Sequence, residues 1–204
     1  MAMNKRQLRV RNTELITRDD ADNEPTIEGY FAVFNSDYDI APGMSESIAP
    51  GAFTEALSGD VRALVNHDTT LVIGRNKAGT LELKEDSHGL WGKVRINPKD
   101  SAAVDLYERV KRGDVDGCSI GFDIEKESTE ILDNGDIHWT IEKIMPLAEV
   151  SCCTFPAYQE TNISARTSQR VEELEKRERQ AEEIKREKHA QWKEKTLCKL
   201  KGVK

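Results

Sequence analysis

Apolar and polar residues alternate with a period of two along much of the first 166 positions of this chain. Because successive side chains of an extended strand point to opposite faces, this alternation predicts a mainly β body of the α+β class. The predicted strands lie in QLRVRN, TIEGYFAVF, DVRALVNHD, LVIGRN, GCSIGFDI and LAEVSCCTF. Two hairpins are also predicted, GTLELKEDSHGLWGKVRI with a turn at DSHG and STEILDNGDIHWTIEKI with a turn at Asn134-Gly135.

One stretch of this body has helical spacing instead. KDSAAVDLYERVKRG begins with Asp100 or Ser101, either of which can cap a helix, and ends at Gly113, a typical helix stop. The residues that would share its buried face are all apolar or aromatic: Ala103, Leu106, Tyr107 and Val110. A shorter helix is predicted in ESIAPGAFTEAL, after a Pro-Gly turn.

The composition changes near residue 166, which predicts one domain over 1–166 and a separate tail over 167–204. The tail contains 12 Lys and Arg against 8 Asp and Glu, a net charge of +4, and the body contains 18 against 29, a net charge of −11. The tail has no Gly or Pro before Gly202, as is typical of a helix, but its apolar seam fails after Ile184. A charged helical tail, a partly disordered one and a coiled coil all stay open.

The charge and the apolar runs limit the partners that the body could have. An acidic body argues against nucleic acid, because phosphate binding needs clustered Lys and Arg. No run approaches the roughly 18 apolar residues that span a bilayer, and the N-terminus lacks the apolar core of a signal peptide. We therefore expect a soluble protein that stays in the compartment where it is made and has no membrane partner.

The four cysteines, Cys118, Cys152, Cys153 and Cys198, do not have the spacing of metal ligands. Cys152 and Cys153 are adjacent on a predicted strand, so their side chains point in opposite directions and are not expected to pair. Reduced thiols fit this pattern best. Neither a metal nor a cofactor is expected.

Two adjacent residues in GDVDGCSIGFDI, Cys118 and Ser119, have side chains that can act as nucleophiles. Cys118 shares its strand face with Ile120 and Phe122, which is the setting of a small buried hydrophobic residue. Ser119 shares the other face with Gly121, a residue that leaves room for another backbone to approach. A nucleophile in this segment would therefore be Ser119.

Two further residues could activate such a serine, namely His67 in LVNHD and Glu149 in LAEVS. An imidazole can take the serine proton near neutral pH, and a carboxylate on its other nitrogen fixes its tautomer and orientation. Asp68 and Asp123 are rival carboxylates, and His138 could serve as a second histidine. Ser119, His67 and Glu149 are far apart in the chain, so their spacing alone does not show that they meet in the fold.

Each candidate also has an ordinary structural interpretation. A serine in a glycine-flanked strand is commonly just small and hydrogen-bonded, and His67 could be an exposed turn residue. Glu149 is the least ordinary, because a carboxylate between Ala148 and Val150 in an apolar strand needs a partner. GCSIG also fits the G-x-S-x-G pattern of esterases, but the residues after it have the spacing of a strand where that motif requires a helix.

The order of several motifs resembles that of one known family. The stretches are IEGYFAVFN, ESIAPGAFTEAL, ALVNHD, VIGRN, LELKEDSHGLWGKVRI, AVDLYERVKRGDVDGCSIGF and LAEVSCCTFPAYQETNISA. Together they resemble the prohead (procapsid maturation) proteases of tailed phages, over about residues 27–166. The resemblance implies that His67 is the general base, Ser119 the nucleophile and Glu149 the orienting acid.

The same resemblance implies a fold and a biological role. The fold would be a closed β-barrel-like protease body flanked by helices, similar to the herpesvirus assemblins. The assemblins use a second histidine where this resemblance places Glu149. The activity would be that of a serine endopeptidase enclosed in the immature capsid, in the host cytoplasm. Its implied partners are the major capsid protein with its scaffolding segment and the protease itself, with the portal and further copies as additional candidates. The alternative is a non-catalytic capsid assembly protein built on a degenerate protease body.

Overall fold

A computed structural model describes residues 7–12, 15–19 and 24–155 of the 204-residue chain. These ranges contain eleven strands, one α-helix and two single-turn 3₁₀ helices, Ala56–Ser58 and Asn76–Ala78. The strands are β1 (Gln7–Asn12), β2 (Ile16–Asp19), β3 (Pro25–Val33), β4 (Tyr38–Ala41), β5 (Met44–Ile48), β6 (Arg62–Val65), β7 (Asp68–Arg75), β8 (Leu81–Glu85), β9 (Gly89–Arg95), β10 (Gly117–Ile131) and β11 (Ile137–Cys153). The mainly β class is thereby confirmed. The boundary at residue 166 and the tail lie outside these ranges.

The strands form two sheets. The larger one has seven strands, with the order β1-β10-β11-β5-β4, and in addition β6 pairs with β11 and β7 pairs with β6. The smaller one has the order β2-β3-β9-β8. A continuous apolar core joins the two sheets to helix α1 (Ser101–Arg112).

The predicted closed barrel is wrong for the part of the chain that the structure describes. Closure requires the strands at the two ends of a sheet to pair with each other. Here the path of the larger sheet ends at β1 and β4, and β2, β3, β9 and β8 form a sheet of their own. The predicted flanking helices are reduced, within these residues, to α1 and the two 3₁₀ turns.

Helix α1 forms as the sequence predicts. The side chain of Asp100 accepts hydrogen bonds from the backbone N–H groups of Ala102 and Ala103, and therefore Asp100 is the N-cap. Gly113 ends the helix in the left-handed conformation with φ 85°. The four residues predicted for the inner face are all buried: Ala103, Leu106, Tyr107 and Val110.

Strands β10 and β11 form a long ribbon that carries Ser119 and Glu149, and both strands are longer than the sequence predicts. The sequence predicts a strand at GCSIGFDI, a hairpin at STEILDNGDIHWTIEKI and a strand at LAEVSCCTF, and the structure joins these segments into two antiparallel strands of 15 and 17 residues. Irregular register between Gly121 and Glu127 allows the ribbon to continue. The other edge of β11 pairs in parallel with β5 along Ile137–Ile141 and with β6 along Glu149–Cys152.

No helix among the residues placed by the structure has the length and apolar character needed to cross a bilayer.

Gly89 in β9 tests the register of the smaller sheet. A Cβ at this position would overlap the carbonyl oxygen of Ala32 and lie 3.0 Å from the Cα of Val33. Since this obstacle is backbone, we expect Gly89→Ala to lower the free energy of unfolding by about 2 kcal/mol, measured by urea denaturation. Ser87→Ala, at an exposed position in the turn between β8 and β9, is the control and should change the free energy of unfolding by less than about 0.5 kcal/mol. Equal stability of the two variants would contradict the register.

Candidate active site

The antiparallel register of β10 and β11 places two of the candidate residues on one face of the sheet. Ser119 lies opposite Ser151, and Gly121 lies opposite Glu149. Because side chains two residues apart on a strand point the same way, Ser119 and Glu149 share this face with Ser151. All three side chains are buried.

His67 belongs to the two-residue turn that connects β6 to β7. Val65 pairs with Asp68, and the residues between them, Asn66 and His67, both have left-handed backbone angles, φ 50° and φ 61°. Two successive left-handed residues are the signature of a type I′ hairpin. Because β6 runs parallel to β11, the turn reaches the same end of the ribbon as Glu149 and Ser151.

Hydrogen bonds to the end of β11 hold this turn in place. The backbone N–H of Asn66 donates to the carbonyl of Cys152 at 3.0 Å. The Asn66 side chain donates to Thr154 Oγ1 at 3.2 Å and accepts from the Thr154 N–H at 2.9 Å. The N–H of His67 donates to Ser151 Oγ at 3.3 Å. These bonds offset the cost of the left-handed conformation in residues other than glycine.

The structure brings His67 and Glu149 into direct contact. Nδ1 of the imidazole lies 2.7 Å from Oε1 of the carboxylate, and Oε2 accepts a hydrogen bond from Ser151 Oγ at 2.5 Å. A proton on Nδ1 satisfies the first contact and leaves the lone pair on Nε2, because neutral imidazole carries one N–H. The contact with Glu149 therefore favours the tautomer that a general base at Nε2 requires.

Gly121 makes the space in which the Glu149 carboxylate lies. A Cβ at position 121 would overlap Oε1 and lie 3.0 Å from both Cγ and Cδ of Glu149. The sequence predicts that Gly121 leaves room for another backbone to approach, and in the structure a carboxylate side chain uses that room.

The structure does not bring Ser119 into a hydrogen bond with His67. Ser119 has 0% of its surface exposed, and Oγ has no hydrogen-bond partner within the part of the chain that is described. The atom that does approach Nε2 of His67 is Sγ of Cys153, at 3.8 Å. Catalytic hydrogen bonds are often long or unformed in the absence of substrate, so this geometry leaves Ser119 as a candidate.

The residues that rival Glu149 as the partner of His67 make other contacts. His138 is bonded through Nδ1 to Ser45 Oγ at 2.8 Å and through Nε2 to Ser47 Oγ at 2.9 Å. It precedes Glu149 by eleven residues on β11, which is on the order of 30 Å along a strand. Asp68 accepts two hydrogen bonds from Thr70, which lower the pKa of its carboxyl.

Asp123, the remaining rival, is only partly buried. Its Oδ1 is a buried atom with no hydrogen-bond partner among the residues described. It falls where the register of β10 is irregular, between Phe122 and Ile124.

The three cysteines near the site are all buried. Cys118 is fully buried among apolar residues of the core, as its strand parity predicts. Burial raises the pKa of Cys152 well above its usual value. Burial, together with the neighbouring Cys118 and Glu149, raises the pKa of Cys153 to about 12. Within the described ranges, no three His, Cys, Asp or Glu side chains are placed to hold a metal ion.

Sequence reasoning missed Ser151 and Asn66. Ser151 lies two residues after Glu149, so strand parity alone could have placed both on one face. Asn66 precedes His67 in a short connection, and asparagine is enriched in the left-handed conformation that such turns need. The contact of Cys153 with His67 had no signal in the sequence, because it depends on the parallel pairing of β6 with β11.

Comparisons with known proteins agree with the motifs. The model of a family described as caudovirus prohead serine protease matches residues 11–177, which extends eleven residues past the predicted boundary at 166. The prohead protease of Enterobacteria phage HK97 is 37% identical over 148 residues, which cover 69% of this chain and 60% of that protein. This chain therefore spans less than two thirds of the length of that relative.

A solved structure supports the fold. The capsid assembly protease of bacteriophage T4 aligns with a TM-score of 0.51 over 74% of this chain and 98% of that one, at 12% identity. At such low identity the likeness concerns the fold alone. The family match, by contrast, covers well over half of the sequence, and with the motifs around His67, Ser119 and Glu149 it shows that the chain belongs to the caudovirus prohead serine protease family.

Proposed function

We propose that this protein is a serine endopeptidase of phage capsid maturation, with Ser119 as nucleophile, His67 as general base and Glu149 as orienting acid. The observation that carries the proposal is the 2.7 Å contact between His67 Nδ1 and Glu149 Oε1, on the face of the ribbon that also bears Ser119. A partly buried imidazole–carboxylate pair beside a serine is the arrangement that acyl transfer requires.

The chemistry follows from the roles of these three side chains. Ser119 Oγ attacks the peptide carbonyl and its proton passes to Nε2 of His67, while Glu149 stabilises the imidazolium through Nδ1. The imidazolium then protonates the leaving amine, and the peptide bond breaks to leave an acyl-serine. Water attacks this ester with His67 as base again, which releases the acid and restores the serine.

The complete burial of Ser119 adds a requirement. No part of its side chain is accessible to water, so a peptide has to displace the groups that cover it before attack is possible. We therefore expect substrate binding to rearrange the site, and the Ser119 to His67 hydrogen bond to form in that rearranged state.

The proposed substrates are the scaffolding segment of the major capsid protein and the protease itself, cut inside the immature capsid in the host cytoplasm. Membership of the prohead protease family supports this assignment. The portal and further copies of the chain stay candidate partners. A closer likeness of the body to the herpesvirus assemblins also stays a prediction. The direct test is to incubate the chain with the capsid protein of the same phage and identify the products by mass spectrometry.

A cysteine peptidase is the second candidate, since Cys153 Sγ is the atom nearest to His67 Nε2 among the contacts described. The reactive form of a cysteine is the thiolate. A pKa raised to about 12 keeps Cys153 neutral near physiological pH, and the nearby Glu149 carboxylate opposes the second negative charge. The serine is therefore the better nucleophile. The third reading, a non-catalytic assembly protein, predicts no cleavage by the unaltered chain.

Replacement of Ser119 separates these readings. We expect Ser119→Ala to fold and to lose cleavage of the capsid protein and of itself, by a factor on the order of 10⁶ in turnover. Its neighbour Cys118 supplies the control. Cys118→Ala should keep cleavage and lose roughly 1 kcal/mol of unfolding free energy through a small cavity. An active Ser119→Ala with an inactive Cys118→Ala would reverse the assignment.

Replacement of Glu149 tests the orienting acid. Glu149→Gln should lower kcat by about 10⁴, because an amide no longer holds the imidazole in the tautomer with its lone pair on Nε2. His138→Ala removes the histidine of β11 and should leave the rate near that of the unaltered chain, since His138 is bonded to Ser45 and Ser47. A stronger loss in His138→Ala than in Glu149→Gln would contradict the assignment.

Replacement of Cys153 tests the second candidate. Cys153→Ala should retain cleavage, because the neutral thiol contributes no nucleophile, and iodoacetamide should alkylate Cys153 slowly at pH 8. Peptide mapping after alkylation measures the second effect. Rapid labelling of Cys153 together with an inactive Cys153→Ala would favour the cysteine peptidase.

A further inference from the structure

Ser151 has a set of contacts that the three proposed catalytic residues do not explain. Its Oγ donates to Oε2 of Glu149 at 2.5 Å and accepts from the backbone N–H of His67 at 3.3 Å. The side chain is completely buried, and it lies directly opposite Ser119 in the β10–β11 register. One hydroxyl thus connects the carboxylate with the backbone of the histidine, at the strand position opposite the proposed nucleophile.

We infer that Ser151 is a positioning residue for the proposed endopeptidase: its hydroxyl fixes the Glu149 carboxylate and the His67 backbone relative to each other. The inference rests on the proposed function, because it assigns a role within the same site. Ser151 itself is not proposed to touch the substrate. It acts through Glu149 and His67.

The first argument concerns the freedom of the carboxylate. Glu149 is 4% exposed, and its Oε1 is directed at His67 across the space left by Gly121. Since glycine provides no side chain to confine this carboxylate, a hydrogen bond to Oε2 has to fix its rotation. Without Ser151 the second oxygen would lose its hydroxyl donor while buried, which is costly for a charged group. The carboxylate would then turn toward any other donor and release Nδ1.

The second argument concerns the backbone of the base. His67 has φ 61°, a conformation that residues other than glycine adopt only at a cost. Its N–H is directed at Ser151 Oγ, so this hydrogen bond favours the strained conformation. Because the hydroxyl that holds the backbone also holds the carboxylate, a shift of one carries over to the other. The imidazole is therefore oriented from both its ring and its main chain.

A purely structural role for Ser151 makes a different prediction. If the hydroxyl only satisfied a buried polar group, its loss would lower stability and leave the turnover of the folded protein unchanged. The comparison therefore needs a second buried serine on the same sheet that hydrogen-bonds a histidine. Ser47 provides it, since Ser47 is 7% exposed and its Oγ lies 2.9 Å from His138 Nε2.

The kinetic test uses the full chain with a peptide cut from the identified cleavage site. Ser151→Ala should lower kcat by about 10- to 100-fold with little change in KM, by analogy with the loss found when residues that orient metal ligands through hydrogen bonds are removed. Ser151→Thr keeps the hydroxyl and should recover most of kcat. Ser47→Ala should lower the melting temperature without lowering kcat. A Ser151→Ala protein that keeps kcat, or a Ser151→Thr protein as impaired as Ser151→Ala, overturns the inference.

A spectroscopic test separates this inference from the proposed function. The full chain carrying Ser119→Ala is labelled with ¹⁵N-histidine, and the His67 signals are assigned by comparison with His67→Gln. Ser151→Ala in this background should increase the tautomer protonated on Nε2, and Ser47→Ala should not. An unchanged His67 tautomer overturns the role of Ser151 whether or not the protein cleaves anything. If the unaltered chain and Ser119→Ala were equally inactive, the proposed function would fail, and the tautomer would still decide the role of Ser151.

Discussion

The buried carboxylate of Glu149 is the constraint on which the site depends. A charge that is almost entirely removed from water needs a partner for each oxygen, since an unpaired buried charge is far more costly than a paired one. His67 pairs with one oxygen and Ser151 with the other. The two partners come from different elements, so the carboxylate is satisfied only when the β6–β7 turn is docked on the end of β11. Folding of the sheet and assembly of the site are therefore the same event.

The β10–β11 ribbon makes this docking possible. Its antiparallel register places Gly121 opposite Glu149, which opens the space for the carboxylate, and places Ser119 opposite Ser151. The edge of β11 that faces away from β10 pairs with β5 along its first part and with β6 along its last part. Because β6 pairs only near Glu149, the histidine turn arrives at the end of the ribbon where the two serines lie. A β6 that paired further back along β11 would leave Glu149 without the imidazole.

Local patterns predicted more of this site than of the sheet that carries it. Strand parity put Cys118 in the core and Ser119 on the other face, and the apolar neighbours of Glu149 showed that it needs a partner. The closed barrel, by contrast, was wrong, and the β10–β11 ribbon was divided into separate strands. Both depend on which strands pair across the chain, and the irregular register after Gly121 interrupts the period-two pattern. The contact of Ser151 with His67 could not be predicted for the same reason, since it spans 84 residues.

Covalent labelling tests the central claim, a serine nucleophile activated by the His67–Glu149 pair, most directly. A fluorophosphonate reacts with an activated serine by forming a phosphorus–oxygen bond and releasing fluoride, and it needs no knowledge of the cleavage site. Mass spectrometry of the labelled chain should show one adduct, located by peptide mapping on Ser119 and greatly reduced in Glu149→Gln. An adduct on Cys153 or Ser151 in place of Ser119, in a protein that cleaves its capsid protein, would contradict the account.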